Sequence, residues 1–246
     1  MINYKHLLFL LLLSASCNKH FVATQYNYEQ QKVSNTTATA ESVNRILIPF
    51  KDSLDKIMNV EIGYAAESLT KKQPESDLGN FMCEIILSES QLLSKEPIDF
   101  AVVNYGGIRL PGLPVGPVTL GKITELMPFE NRIVLMKLNG TTLDSLFNLM
   151  ATKGGWPVSG ARYRMTQEKA VDITIQNQAL QQDRIYTVAI SDYLAQGGDN
   201  CEMLNGKPFI DTKIRMRDML IDGIKKINIK GERIHSILDG RVSKIN

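Results

Sequence analysis

Histidine, cysteine and tryptophan are scarce in this 246-residue chain, at three, three and one residues, and each shortage removes a class of chemistry. Three cysteines cannot build a disulfide framework or a structural zinc site. His6, His20 and His235 are too few, and too scattered, to supply the several histidines that a two-metal hydrolase needs. Charge of one sign is also lacking: 28 basic against 26 acidic residues leave a formal net charge of +2. No broad field exists to gather nucleic acid, so no nucleic-acid partner is expected, and any selectivity for phosphate has to be local. Internal repeats are absent, and no apolar run beyond the amino terminus is long enough to cross a bilayer.

The one strongly apolar run has a specific setting. Lys5 precedes Leu7 to Leu13, and the small residues Ser14, Ala15 and Ser16 lead to Cys17. Charged, apolar, small is the order of an export signal, here residues 1–16. A cysteine directly after small residues resembles a bacterial lipobox, with Cys17 as the lipidated first residue of the mature protein. The alternative is an ordinary signal peptide cleaved nearby, leaving Cys17 removed or as a plain thiol. The protein is expected to be exported and held to the cell envelope, at the periplasmic or outer-membrane surface, through its acyl chains alone. Residues 17–40 have few apolar anchors and many Asn, Gln, Thr and Ser residues, which reads as a tether. Residues 41–246 remain for one domain, or one domain with two lobes.

Within that domain, Val43, Leu47, Phe50, Leu54, Ile57 and Met58 recur at helical spacing, with Pro49 expected to bend the helix or delay its start. Pro74 to Asp77 carry helix start signals, ahead of a stripe of Leu78, Phe81, Met82, Ile85, Ile86 and Leu92. Cys83 falls on this pattern as a small buried residue. A short apolar run from Ile98 to Val103 predicts a buried strand ending at Asn104. Helices are expected at 119–126, 141–151 and 212–227, and strands at 132–138, 161–165, 171–175, 185–191 and 241–245. Mixing without strict alternation predicts an α+β fold with a mixed sheet and packed helices.

Three short blocks carry the chemistry. Asn104-Tyr-Gly-Gly-Ile-Arg109 follows the predicted strand; its glycine spacing matches neither the dinucleotide fingerprint nor a P-loop. Gly106 and Gly107 on their own read as a turn, but Arg109 adds a bidentate donor and Asn104 both a donor and an acceptor. Phe129 lies between Pro128 and Glu130-Asn131, which suggests an exposed loop, where an aromatic serves binding. Tyr193 precedes Gly197-Gly198-Asp199, where Asp199 is either a helix cap, the reading residue type favours, or an acceptor for a sugar hydroxyl. Flat faces, hydrogen-bonding groups and one fixed cation are what a nucleotide site requires. Cys201 follows this turn, and whether it pairs with Cys83 is open from sequence.

These blocks, together with Glu75-Ser-Asp-Leu-Gly-Asn80, Thr119 to Phe129 and Val158-Ser-Gly160, resemble in order the C-terminal domain of 5′-nucleotidases. The resemblance covers nearly all of the mature chain. It implies an α+β domain that grips a nucleoside or nucleotide, while a metallophosphatase domain holds two metal ions and hydrolyses. Carried over by position, Phe129 and Tyr193 sandwich the base, Asn131 touches its edge and Asp199 the ribose. Asn104 and Arg109 meet the sugar-phosphate end, Gly160, Gly197 and Gly198 let the backbone approach, and Gly106 and Gly107 count among the substrate-binding residues. Relatives carry an arginine a few residues before the Glu-Ser pair; here Lys72 is the candidate phosphate contact, a point charge rather than a fork. No catalytic or metal-binding residue is assigned to this chain. Divalent metals are expected on a separately encoded metallophosphatase protein, and the alternative is a non-catalytic nucleotide-binding surface lipoprotein.

Overall fold

A computed structural model of the chain describes residues 28–30, 41–167 and 169–245. The expected export signal, Cys17 and all of the tether but residues 28–30 lie outside the described residues. In chain order the elements are α1 (Glu41–Met58), β1 (Glu61–Ala65), β2 (Leu69–Thr70), α2 (Asp77–Leu93), β3 (Phe100–Val102), β4 (Gly112–Leu113), β5 (Gly116–Thr119), α3 (Leu120–Leu126), β6 (Arg132–Asn139), α4 (Gly140–Thr152), β7 (Val158–Ser159), β8 (Ala161–Met165), β9 (Ala170–Ile175), β10 (Gln178–Ala179), β11 (Ile185–Ser191), α5 (Asp192–Ala195), β12 (Phe209–Arg215), α6 (Met216–Ile229) and β13 (Val242–Lys244). By internal contacts the chain divides between Ile46 and Leu47, inside α1, and apart from residues 41–46 of that helix everything described below belongs to the later unit.

The organising element is a five-stranded sheet of order β12-β6-β11-β3-β7. Strand β11 runs parallel to β3, with Val188 opposite Phe100, and antiparallel to β6 from Ile185 opposite Asn139 to Ser191 opposite Ile133. Parallel and antiparallel pairs in one sheet, with helices against it, make the α+β architecture that the irregular alternation of elements predicts. Side chains alternate strictly across the pleat. Phe100, Val102, Val134, Met136, Val188 and Ile190 enter one core, while Ala101, Val103, Ile133, Leu135 and Ala189 enter the other. Burial on both faces is why the strand sequences are continuous apolar runs. Helices α2 and α6 contribute to the second core; α4 and the sheet β10-β9-β8-β13 contribute to the first.

Helix starts follow local chemistry. The Ser76 hydroxyl accepts from Gly79 N at 3.0 Å to open α2, Thr119 accepts from Lys122 N at 3.2 Å to open α3, and Asn139 accepts from Thr142 N at 3.0 Å to open α4.

At four points the structure narrows, departs from or adds to the sequence reading. Helix α1 forms with Pro49 inside it and begins at Glu41, so of the two expected effects of the proline the delayed start does not occur, and none of the helix residues is buried. Periodicity reveals an apolar stripe but not a surface to cover it. Leu92 is 71% exposed, because the last turn of α2 runs past the core. The segment predicted as helix over 212–227 is strand as far as Arg215, since pairing of Phe209 with Met136 on β6 outweighs helical spacing. Strand β1, which pairs with β5, is absent from the expected elements, and Gly63 interrupts its apolar signal.

Phe147 of α4 sits fully buried between Phe100 and Tyr163, at ring-centroid distances of 5.6 and 5.2 Å. Phe147→Ala is expected to lower stability by about 3–5 kcal/mol, read from the urea denaturation midpoint.

Candidate functional site

Strand direction brings three distant segments to one edge of the sheet. Parallel β3 and β11 end there, and antiparallel β6 begins there, as the pairing of Ser191 with Ile133 requires. The segments leaving β3, entering β6 and leaving β11 are the three blocks singled out from the sequence. They meet around a cleft of about 310 Å³ lined by Asn104, Gly106, Gly107, Arg109, Phe129, Asn131, Tyr193 and Asp199. Phe129 and Tyr193 remain 38% and 43% exposed, so two large flat side chains contribute to this surface rather than to either core.

The first wall is a 3₁₀ turn, Tyr105–Gly107, closed by Gly107 N donating to Asn104 O at 2.9 Å. A Cβ on Gly107 would lie 2.7 Å from Asn104 Oδ1, so glycine lets the carboxamide fold against the turn. Arg109 N donates to Leu126 O at 2.9 Å, and the exposed guanidinium stands 5.7 Å from the centre of the Phe129 ring. Behind the turn, Lys71 Nζ donates to Ile108 O at 2.8 Å and lies 4.0 Å from the Tyr105 ring centre. Burial, and then repulsion by Arg109, depress the Lys71 pKa. Lys72 is exposed and does not line the cleft; the neighbouring Lys71 faces the turn instead. One residue's difference along an extended segment reverses the direction of the side chain.

The second wall is the loop holding Phe129. Glu130 accepts from Arg215 at 2.8 Å and Arg217 at 2.6 Å, Arg217 also reaches Pro128 O at 3.3 Å, and Met216 N donates to Asn131 O at 2.8 Å. Hydrogen bonds from Arg215 and then Arg217 hold the Glu130 carboxyl below the usual carboxylate range. A folded value below the unfolded one means the clamp contributes above the ordinary range and is lost as pH falls through the depressed value. Arg132 N donates to Asp192 Oδ1 at 3.1 Å, joining this loop to α5. Neither arginine of the clamp is among the residues expected from sequence; their alternation at 215 and 217, beside a helix start, is the only trace.

The third wall follows β11. Tyr193 Oη donates to Asp199 Oδ1 at 2.8 Å and accepts from Asp199 N at 3.2 Å, while Asn104 Nδ2 donates to Asp199 Oδ2 at 2.6 Å. Gly197 has φ +92° and Asp199 φ +53°, a left-handed turn that brings the carboxylate back over the ring. A Cβ on Gly198 would lie 2.5 Å from the ring, so the glycine seats Tyr193. Asp199 is therefore not a helix cap: its carboxylate joins two cleft residues.

The remaining predicted residues go elsewhere. Gly197 and Gly198 line an adjoining depression, on which Asn131 and Tyr193 also border. Gly160, at φ +86°, has no part in the cleft, because it turns the chain between β7 and β8, where a Cβ would lie 2.4 Å from Asp99 O. Glu75 accepts from Asp239 N and Gly240 N, each at 3.1 Å, so the Glu75-Ser76 block fastens the carboxy-terminal segment. Cys83 and Cys201 are free thiols in separate cores. Among the described residues no group of three or more His, Cys, Asp or Glu is placed to hold a metal ion.

Residues 56–206 match the family described as 5′-nucleotidase, C-terminal domain. Similar proteins include the trifunctional nucleotide phosphoesterase YfkN of Bacillus subtilis (strain 168), 26% identical over 223 residues, which are 80% of this chain and 14% of that protein. A 5′-nucleotidase of Vibrio parahaemolyticus is 29% identical over 176 residues, covering 68% of this chain and 29% of its own length. The crystal structure of a 5′-nucleotidase precursor from Thermus thermophilus superposes with a TM-score of 0.73 at 25% identity, over 84% of this chain and 43% of that one. The chain thus spans less than half the length of each.

The hydrogen bond to the Asp199 carboxylate pushes the Tyr193 phenol above its ordinary pKa. Ring-labelled tyrosine NMR should show Tyr193 titrating above the usual tyrosine range, and Asp199→Asn should return it toward that range. Identical titration in both proteins would mean that the contact is not made in solution.

Proposed function

The chain belongs to the 5′-nucleotidase C-terminal domain family, and on that premise we propose that it is the nucleotide- or nucleoside-binding part of a phosphoester hydrolase. In this reading a separately encoded metallophosphatase supplies the divalent metals and the activated water. The present chain binds and orients. One observation carries the reading: Phe129, Tyr193, Arg109 and Asp199, from three segments, line a single cleft.

Each residue then has a chemical task. Phe129 and Tyr193 stack on the base, a contact worth about 1–3 kcal/mol per ring and tolerant of base identity. Asn131 offers a carboxamide to the base edge, and Asp199 an acceptor to ribose hydroxyls. Arg109 supplies the fork for a phosphate, with Asn104 beside it at the sugar-phosphate end. Holding the ester in a fixed place for a partner's metals lowers the barrier through orientation. Export and a lipid anchor at Cys17, proposed from the amino-terminal sequence, would place this activity at the cell envelope in nucleotide catabolism.

Isothermal titration with AMP and adenosine tests the binding half. Phe129→Ala with Tyr193→Ala should weaken both ligands by about 1–3 kcal/mol per ring, and retention of the parent affinity would dismiss the clamp. Arg109→Lys should weaken AMP by about 1.5–3 kcal/mol and leave adenosine unchanged, since only the fork to phosphate is removed. The catalytic half is tested by phosphate release from AMP with an exported metallophosphatase from the same genome, with and without divalent metal. Equal, metal-dependent release by this chain alone would refute the division of labour.

A further inference from the structure

The Tyr193 hydroxyl changes what Asp199 can recognise. A vicinal diol satisfies a carboxylate best when each hydroxyl donates to one oxygen along an in-plane lone pair. In this cleft each carboxylate oxygen already carries a donor from the protein: Tyr193 Oη at 2.8 Å on Oδ1 and Asn104 Nδ2 at 2.6 Å on Oδ2. Both are charge-assisted bonds at short range. The phenol oxygen is satisfied in both senses, because it also accepts from Asp199 N at 3.2 Å. The Asp199 carboxyl keeps the phenol protonated to higher pH than usual, which is the state that donates. The left-handed backbone at Asp199 and the close seat of the ring on Gly198 hold the pair together without a ligand.

Resting on the reading of the cleft as a nucleoside site, we propose that Tyr193 is a specificity determinant that makes binding nearly indifferent to the ribose hydroxyls, so that ribo- and deoxyribonucleosides are accepted alike. A hydroxyl arriving at an oxygen that already holds a charge-assisted bond adds a second donor to a partly neutralised acceptor, or displaces the first. In either case the net gain from the ligand hydroxyl is small. A carboxylate oxygen with no protein donor behaves differently, since a ligand hydroxyl then makes a full charge-assisted bond there that a deoxy analogue cannot make. Phenylalanine at 193 keeps the flat face for the base and frees Oδ1, so one oxygen atom separates the two behaviours.

The test measures ratios, in which any general loosening of the ring cancels. Dissociation constants for adenosine, 2′-deoxyadenosine and 3′-deoxyadenosine are obtained by titration calorimetry for the parent and for Tyr193→Phe. The parent is expected to bind the three within about threefold of one another, and Tyr193→Phe to favour adenosine by about tenfold or more over at least one deoxy form. Adding Asp199→Asn to Tyr193→Phe should bring the ratio back to within about threefold, because the gain passes through that carboxylate. A parent that already discriminates tenfold, or a ratio unmoved by Tyr193→Phe, overturns this inference while leaving the base clamp intact. A parent that binds none of the three defeats the clamp, and this inference with it.

Discussion

The register of three central strands is the constraint on which the rest depends. Val188 faces Phe100 on one side and Met136 on the other, and this pairing sends the ends of β3 and β11 and the start of β6 to the same edge. Both faces of these strands are buried, so a slip of one residue would exchange Ala101 and Val103 for Phe100 and Val102 and invert both cores. Packing therefore fixes register, and register fixes which loops meet. Residues separated by up to 95 positions, Asn104 and Asp199, come within a hydrogen bond for that reason.

A second level of order lies in the loops themselves. Exposed ion pairs such as Arg215 with Glu130 contribute little to overall stability. Their effect is on orientation: Arg217, whose side chain is only 12% exposed, fastens both Glu130 and Pro128, on either side of Phe129. Asp199 does the same for the opposite wall by joining Tyr193 to Asn104. Side chains held in advance by packing and hydrogen bonds lose less freedom when a ligand arrives.

How far the sequence was legible follows from where the determining physics resides. Short-range chemistry could be read: the helix start signals around Ser76, the buried strand before Asn104, and the exposed settings of Phe129 and Tyr193 beside turn formers. Long-range pairing could not. The stretch before Arg215 has helical spacing yet is drawn into the sheet by β6, and α1 has an apolar stripe with none of it buried. Asp199 resembles a cap because residue type favours caps, whereas its role depends on a left-handed turn and on partners 6 and 95 residues away. Gly160 and Lys72 came from resemblance rather than from local chemistry; Gly160 makes a close backbone approach to Asp99, and Lys72 is exposed outside the cleft.

The central claim, that a planar base is held between two side chains brought together by the sheet, is open to one direct measurement. With methyl-protonated, aromatic-labelled protein and AMP, intermolecular NOEs from the protons of the adenine ring to the rings of both Phe129 and Tyr193 are expected in a single complex. NOEs to only one ring, or to residues outside the cleft, would contradict it.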